Sequence, residues 1–549
     1  MKKIIFRSFV IFFITAFTLI VYLSTLGIET TRFNNQIINI LKNFNKDLEV
    51  ELKKVKILVD PFNFEINAKT VGSKFVIKKK NIEIEKIKTR ISINSLINDQ
   101  FSLKDLEIST KSIEIKNLIS FVRNFKNTPE LYLFEKIFKK GYLISNINLE
   151  FDSQGKIKKN YKIKGFIKNA RINLLKSYSL NDLNLILNVS KDNFQFKDIK
   201  LSLNKLPILS EKISVKKINN SFVVDGSLEN KNIILEDKLI YDLIKTYLLK
   251  FEIEDLNFNS KSQFSFRVNK KYKIDNFKLS SKIKINHLRL PNQLKIKSFL
   301  PSIKDKINIK NHIININFNK KNLKIEGNGN ILLQNNEDSI DYKINKLKKY
   351  LNFEIFLKIK NNPVLIDFLG FKKRNDSNID LDFKGSYIQD DNLQIKSFSI
   401  NEDKNKLEVE GLFLDKDFKI KKFKKAIFNY FDEDRKKNEL SIVNKDGFYN
   451  LVGTQFNANR FIENLIEGNN SNKSKIFSQN FNINIELKRV LIDEKYTLKN
   501  FIGYLNFQNN EVTNAEINAF FSKNKNFKFT IKSNQNEKVT TFFLDEAEP

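Results

Sequence analysis

Apolar and polar side chains alternate along most of this chain at the period of a β-strand, in which successive residues point to opposite faces. Val55, Ile57 and Val59 alternate with Lys54, Lys56 and Leu58, Ile82 and Ile84 with Asn81, Glu83 and Glu85, and Ile91 and Ile93 with Ser92 and Asn94. Leu106 and Ile108 then alternate with Asp105 and Glu107, and Ile113 and Ile115 with Ser112 and Glu114. The same pattern returns in Ile379-Asp380-Leu381-Asp382-Phe383 and Leu407-Glu408-Val409-Glu410. It predicts an antiparallel sheet with one apolar and one solvated face. Helical patterns are few: an amphipathic segment near Thr31 to Asn45, a pair over Asn117 to Lys140 broken at Pro129, and stretches over Glu236 to Lys250 and Pro363 to Phe371. Such helices are too few to cover the sheet, which favours strands folding over on themselves as a sandwich, a solenoid or an open groove.

Two stretches depart from alternation. From Ser8 to Leu26 no residue is charged, and roughly 19 helical residues reach about 28 Å, close to the hydrocarbon thickness of a bilayer. Lys2, Lys3 and Arg7 precede this run, so the positive-inside rule places the N-terminus in the cytoplasm and the body across the membrane. The run exceeds the usual signal-peptide core, and Tyr22-Leu23-Ser24-Thr25-Leu26-Gly27 offers no small-x-small cleavage site, so an anchor is expected, carried by Phe9, Phe12, Phe13, Phe17, Leu19, Val21 and Leu23. The second departure is glycine at strand ends: Gly165, Gly226, Gly327, Gly385 and Gly411 each close an alternating stretch. A backbone position needing positive φ, or a bulge, would account for them, as would ordinary hairpin turns taken one at a time. Their spacing is irregular, which excludes a short-period solenoid.

Composition narrows the chemistry. With 549 residues, 41% hydrophobic and 51 of them Phe, the chain has ample material for several domains or one extended repetitive architecture. The net charge of +33 favours anionic partners, but abundant Lys, Asn, Ile and Phe with scarce Gly and Pro is also what an AT-rich genome imposes. The absence of Cys excludes disulfides, thiol nucleophiles and cysteine metal sites, and with only His287 and His312 the common zinc constellations are excluded too. Asp432, Glu433 and Asp434 are the best candidates for a divalent cation, yet Arg435-Lys436-Lys437 follows and the glycine of a calcium loop is missing, so an exposed charged turn is the expectation. Aromatics fall at strand-core spacing and charge is spread along the chain, against nucleic-acid binding. Lys78-Lys79-Lys80 reads as a solvated loop or as a basic rim for anionic headgroups.

Ile91-Ser-Ile-Asn-Ser-Leu96 through Phe101-Ser-Leu-Lys-Asp-Leu106 to Ser112-Ile-Glu-Ile115 resembles the start of AsmA-like proteins, where strands separated by a short turn follow a membrane anchor. Tyr161 to Leu174, Leu365 to Gly370 with Gly385, and Leu451-Val-Gly453-Thr-Gln-Phe-Asn-Ala458-Asn-Arg-Phe461 are similar to the YhdP-type branch of that group. The resemblance implies a mainly β fold, a repeating β-groove: a long, curled antiparallel sheet with a few short helices, polar outside and apolar inside, standing in the periplasm on the inner membrane. It implies bridge-like transfer of phospholipids towards the outer membrane, with no catalysis, cofactor or metal. The expected division is a cytoplasmic tail at 1–7, an anchor at 8–28, an AsmA-like region at 29–160 and a groove body at 161–549. Residues after Phe501 resemble strands that precede a further region in such proteins, so the C-terminal end is expected to be incomplete. Expected partners are phospholipids, the inner membrane and outer-membrane components, with no nucleic acid. The positions expected to line the groove are Ile91, Ile93, Phe222, Val224, Leu323, Ile325, Leu381, Phe383, Leu407 and Val409; the alternative is that they pack a closed core. The alternative function is a non-enzymatic envelope scaffold or assembly factor.

Overall fold

A computed structural model describes residues 2–545 apart from 32–33, 45–46, 79, 98–102, 126, 153–157, 159, 175–177, 220, 237–252, 272, 293–295, 389–392, 416–418, 446, 461–478, 493–495, 509–510, 522–524 and 534–536. Over these residues the chain is mainly β with five α-helices. It divides into two compact units, one of 1–230 with 261–277 and the other of 231–260 with 278–549. The division does not fall at the expected boundary after residue 160, because strand pairing runs across it. The helix expected over Glu236 to Lys250 lies outside the described residues, except that Glu236 ends a strand.

The first unit opens with α1 (Lys2–Thr25), β1 (Ile28–Thr30), α2 (Asn34–Phe44), β2 (Leu48–Glu51), β3 (Val55–Asp60), β4 (Glu65–Val71), β5 (Lys74–Ile77), β6 (Lys80–Ser92), α3 (Ile93–Ile97), β7 (Leu103–Thr110) and β8 (Ile113–Glu114). β3 pairs antiparallel with β1 and β4, and β6 with β4 and β7. The amphipathic segment near Thr31 to Asn45 is α2. Its apolar stripe is buried, since Ile37 and Leu41 share one core with Leu48, Val55, Ile77, Ile87 and Ile91. Two alternating stretches stop earlier than their pattern suggests. Ile93 opens α3, where Ser95 Oγ donates to the Ser92 carbonyl at 2.7 Å and starts the turn. Ile115 opens α4 (Ile115–Phe125), because Ile115, Leu118 and Phe121 also fall at helical spacing and all pack inward. The break at Pro129 separates α4 from α5 (Pro129–Ile137): Thr128 Oγ1 accepts from the Leu131 amide at 3.4 Å, and proline in the first turn gives up no hydrogen bond.

The expected helical pair ends at Ile137, and β9 (Phe138–Glu150) leads an antiparallel meander with β10 (Lys162–Leu174), β11 (Tyr178–Ser190), β12 (Asn193–Leu203), β13 (Leu206–Ile218) and β14 (Ser221–Glu236). Asn169, Asp182 and Asp198 sit in mid-strand with φ of +50°, +54° and +50°, and the register shifts beside them. These are bulges, which sharpen the twist of a sheet. Where they fall, Ile115 of α4 joins Ala170, Ile172, Leu183 and Leu185 in a buried cluster.

The strand β15 (Asp255–Val268) is divided between the units. The second unit's sheet comprises β16 (Ile274–Pro291), β17 (Lys306–Asn319), β18 (Asn322–Leu332), β19 (Asp338–Leu347) and β20 (Tyr350–Ile359). A separate hairpin of β21 (Leu365–Ile366) and β22 (Phe371–Lys372) follows, and the sheet resumes with β23 (Ile379–Ile388), β24 (Leu393–Glu402), β25 (Asn405–Leu414), β26 (Ile420–Lys422), β27 (Lys425–Phe431), β28 (Lys437–Lys445) and β29 (Phe448–Asn457). It ends with β30 (Phe481–Leu491), β31 (Thr497–Gln508), β32 (Glu511–Phe520), β33 (Asn526–Ser533) and β34 (Lys538–Leu544), every residue of β34 being exposed. β20 pairs with β23, and β25 with both β26 and β27. The sheet is mixed, because β29 and β30 run parallel. The stretch Pro363 to Phe371, expected as a helix, is the β21–β22 hairpin around a 3-10 turn that ends at Gly370 with φ +60°. Val364, Ile366, Leu369 and Phe371 are all buried, so the segment lacks the polar face a surface helix would need. It packs with Leu300, Ile359 and Ile379 against one end of the sheet's apolar face.

Candidate functional site

Strand register in the second unit brings one small or apolar residue per strand into a single cross-strand row. From Ile283 on β16 the Cα partners run through Ile314, Gly327 and Tyr342 to Ile355. They continue through Phe383, Phe398, Val409 and Ala426 to Ile442. From there the row passes through Leu451, Ile485, Gly503 and Ile517 to Phe529 and Phe542. Neighbouring strands lie about 4.8 Å apart, so this ladder has a contour length on the order of 70 Å.

Burial changes along the strands. On β20, Ile359 is fully buried and Leu357 nearly so, while Ile355, Phe353 and Leu351 on the same face are half-buried. The apolar face is therefore closed at one end, by the β21–β22 hairpin with Ile296, Leu300 and Ile303, and open towards the other. The two ends differ in how their polar groups are held. At the open end the turns carry exposed Lys320 and Lys321, Lys346, Lys348 and Lys349, Lys422 and Lys424. The closed end buries polar groups that tie successive turns together. Asn362 Nδ2 donates to Asp338 Oδ2 at 2.7 Å; Glu402 accepts from the Arg374 amide at 2.8 Å, from Asn405 Nδ2 at 2.9 Å and from Ser377 Oγ. Burial raises the Asp338 carboxyl above its ordinary value and lowers the Lys373 ammonium.

The expected lining residues divide between these environments. Leu323, Ile325, Phe383 and Val409 lie half-buried on the open part of the second unit's face. Leu381 and Leu407, two residues from Phe383 and Val409, belong to the closed core at 7% and 3% exposure. Phe222 and Val224 are half-buried on β14 of the first unit, where Val224 pairs with Val215 and Phe222 with Lys217. Ile91 is fully buried in the core that α2 helps to cover, and Ile93 is helical. For Ile91, Leu381 and Leu407 the packed-core alternative describes the structure, because segments distant in sequence cover them.

The glycines do not share one cause: at Gly385 the register shifts, as the expected bulge requires. Of the five, only Gly411 has positive φ, at +62°. At Gly327 an added Cβ would fall inside the Tyr342 ring; at Gly385 it would lie 2.5 Å from the Phe353 ring, and at Gly226 2.7 Å from that of Phe264. An aromatic ring from another strand closes on the backbone at each place, a contact that a Cβ would obstruct.

The acidic cluster is structural. Asp432 is buried, its Oδ1 accepting from the Lys436 amide at 2.8 Å and its Oδ2 from Asn457 Nδ2 at 2.8 Å and Asn438 Nδ2 at 3.1 Å. Glu433 pairs with Arg460 at 2.6 Å. Among the described residues no three metal-ligating side chains converge. The histidines are engaged separately, His287 Nε2 lying 3.4 Å from Asp255 and His312 Nε2 sharing a 3.2 Å hydrogen bond with the Tyr342 hydroxyl. Burial lowers the His312 pKa and pushes that of Tyr342 up to about 12. In the Lys78 to Lys80 turn, Lys79 is outside the described residues and Lys78 lies 3.9 Å from Asp47.

α1 is long and apolar enough to cross a membrane, with mean hydropathy 2.4 and no buried residue. Phe9, Phe12, Phe13, Phe17, Leu19 and Val21 are exposed and Leu23 half-exposed. Four of its hydroxyls are satisfied within the helix: Thr15, Thr18, Ser24 and Thr25 each donate to the carbonyl four residues back at 2.7–2.8 Å. No protein-family model matches this chain, and no curated protein matches it.

Proposed function

We propose that this is a single-pass membrane protein of the AsmA-like kind, whose second unit holds the acyl chains of phospholipids against its apolar ladder without catalysing a reaction. The observation that carries the reading is the unbroken register of small or apolar partners from Ile283 to Phe542, most of them half-buried. Hydrocarbon laid there gains about 0.8 kcal/mol per buried CH₂. Headgroups stay in water at the open end, where Lys320, Lys321, Lys348 and Lys349 attract anionic ones. In this reading Lys2, Lys3 and Arg7 keep the N-terminus cytoplasmic, and both units stand in the periplasm of a bacterial envelope.

Purification of the full chain in mild detergent, followed by mass spectrometry of co-purifying lipid, tests the reading. Wild-type protein is expected to carry phospholipid, and Ile355→Asp and Val409→Asp to carry several-fold less while remaining folded. Folded variants that keep all their lipid would remove the ladder as the binding surface. Well-folded wild-type protein free of lipid would favour an envelope scaffold.

A further inference from the structure

The first unit fixes a rigid hairpin against the end of α1. Gly27, at φ +69°, lets the chain leave the helix and enter β1, and a Cβ there would strike the Ile57 carbonyl. β1 pairs antiparallel with β3, Ile28 opposite Ile57 and Thr30 opposite Val55, so β3 runs back towards α1 and packs against it. The three residues from Ile57 to Asp60, where the β3–β4 turn opens, cover about 10 Å at strand rise, nearly two helical turns. The turn therefore lies beside the last turns of α1, away from the body of the sheet.

That turn is Asp60-Pro61-Phe62-Asn63-Phe64. The Asp60 carboxylate accepts from the Asn63 amide at 3.1 Å and from Asn63 Nδ2 at 2.9 Å, and proline stiffens the next position. Beneath it Glu65 is buried and paired with Lys104 and Arg90, and the Phe64 carbonyl accepts from the Ile93 amide at 3.0 Å, tying the turn to α3. On this braced platform Phe62 is 95% exposed, Phe64 61% and Ile97 of α3 75%. Because Glu65 pairs with Ser92, α3 leaves the sheet at the same end as the turn. Three large apolar side chains held out into water beside an apolar helix is an arrangement that bilayer would complete.

We propose that the β3–β4 turn and α3 form a shallow membrane-seated rim, with Phe62, Phe64 and Ile97 at the boundary of headgroups and acyl chains in the leaflet that the C-terminal turns of α1 occupy. The inference rests on α1 crossing the bilayer. The occupant is lipid because the rim adjoins α1 and is fixed to it through the β1–β3 pairing. The rim then sets the height and tilt of the first unit over the membrane, which one helix cannot do alone.

The chain has no Cys, so single substitutions give clean labelling sites on the full-length protein. Phe62→Cys, Ile97→Cys and Phe13→Cys, each carrying an environment-sensitive fluorophore, are reconstituted in phosphatidylcholine vesicles with acyl chains brominated near the headgroup or near the bilayer centre. The labels at 62 and 97 are expected to lose about half their emission to shallow bromines and little to deep ones, as for residues seated at an interface. The label at 13 should show the reverse. Quenching at 13 but not at 62 and 97 overturns the rim and leaves the anchor. Absence of quenching at all three overturns both. Phe62 packs against almost nothing, so its replacement does not put folding at risk.

Discussion

Tyr342 and His312 show how one position on the ladder is built. The Tyr342 ring stacks on His312 with centroids 5.5 Å apart and lies over Gly327, whose missing side chain makes room for it. Gly327→Ala should force the ring aside, break its hydrogen bond to His312 and lower stability by about 1–3 kcal/mol, the usual range for overpacking, as read by chemical denaturation. His312 is 1% exposed and its Nδ1 makes no hydrogen bond among the described residues. Burial strips the charged ring of its solvent, which is why the pKa falls below its ordinary 6.5. The unfolded chain then binds more protons than the native one just below pH 6.5, so the stability tied to the neutral ring is present above that pH and is lost as pH falls through the window beneath it. The thermal midpoint should drop between pH 7 and pH 5.5 in the wild type and drop less in His312→Gln, whose amide can still reach Tyr342. Asp338, raised by burial, acts with the opposite sign to His312, since the native state binds its proton first as pH falls. Lysine partners hold Glu326, Glu439 and Glu516 below their ordinary 4.5, and their titration falls lower.

Among the elements, β20 and its neighbours separate a closed, hydrogen-bonded end from an open, lysine-bearing one. If the open end meets anionic headgroups, converting Lys320, Lys321, Lys348 and Lys349 together to Glu should weaken co-sedimentation with phosphatidylglycerol vesicles several-fold. Raising salt should weaken the wild type in the same direction, since exposed charges are screened within about 10 Å at 0.1 M. The variant should keep its thermal midpoint, because these side chains are exposed. The strands themselves were legible from alternation, α2 from amphipathic spacing, and the helical pair from its break at Pro129. The mid-strand bulges were not. They are carried by Asn169, Asp182 and Asp198, residue types that tolerate positive φ, and the one available signal was a slip in phase such as Phe166-Ile-Lys-Asn169-Ala-Arg-Ile172. In the Pro363 to Phe371 stretch a short run of apolar residues read equally well as helix or as plug, and tertiary packing decided.

For the molecule as a whole, a β-rich body behind one apolar helix followed from the sequence, whereas the covering of the apolar face did not. Leu381 and Phe383 show why. They share a strand and a face and look alike in the sequence, yet Leu381 is sealed by the β21–β22 hairpin and by residues near Leu300, while Phe383 is half-buried beside Phe398 at 4.7 Å. Cover is a property of what arrives from elsewhere in the chain, and alternation carries no record of it. The resemblance supplied the idea of a lipid-bearing face; the register identified which residues could form one.

β34 has a consequence of its own. It is hydrogen-bonded to β33 along one side and solvated at every residue, with Phe542 and Phe543 both prominent. Among the described residues no strand pairs with its other side, whose amides and carbonyls have the spacing any extended peptide can match. Growth of this sheet is thus additive: a strand supplied by another molecule would prolong the greasy row by one rung, and crowded preparations would be drawn into edge-to-edge chains unless something docks there first.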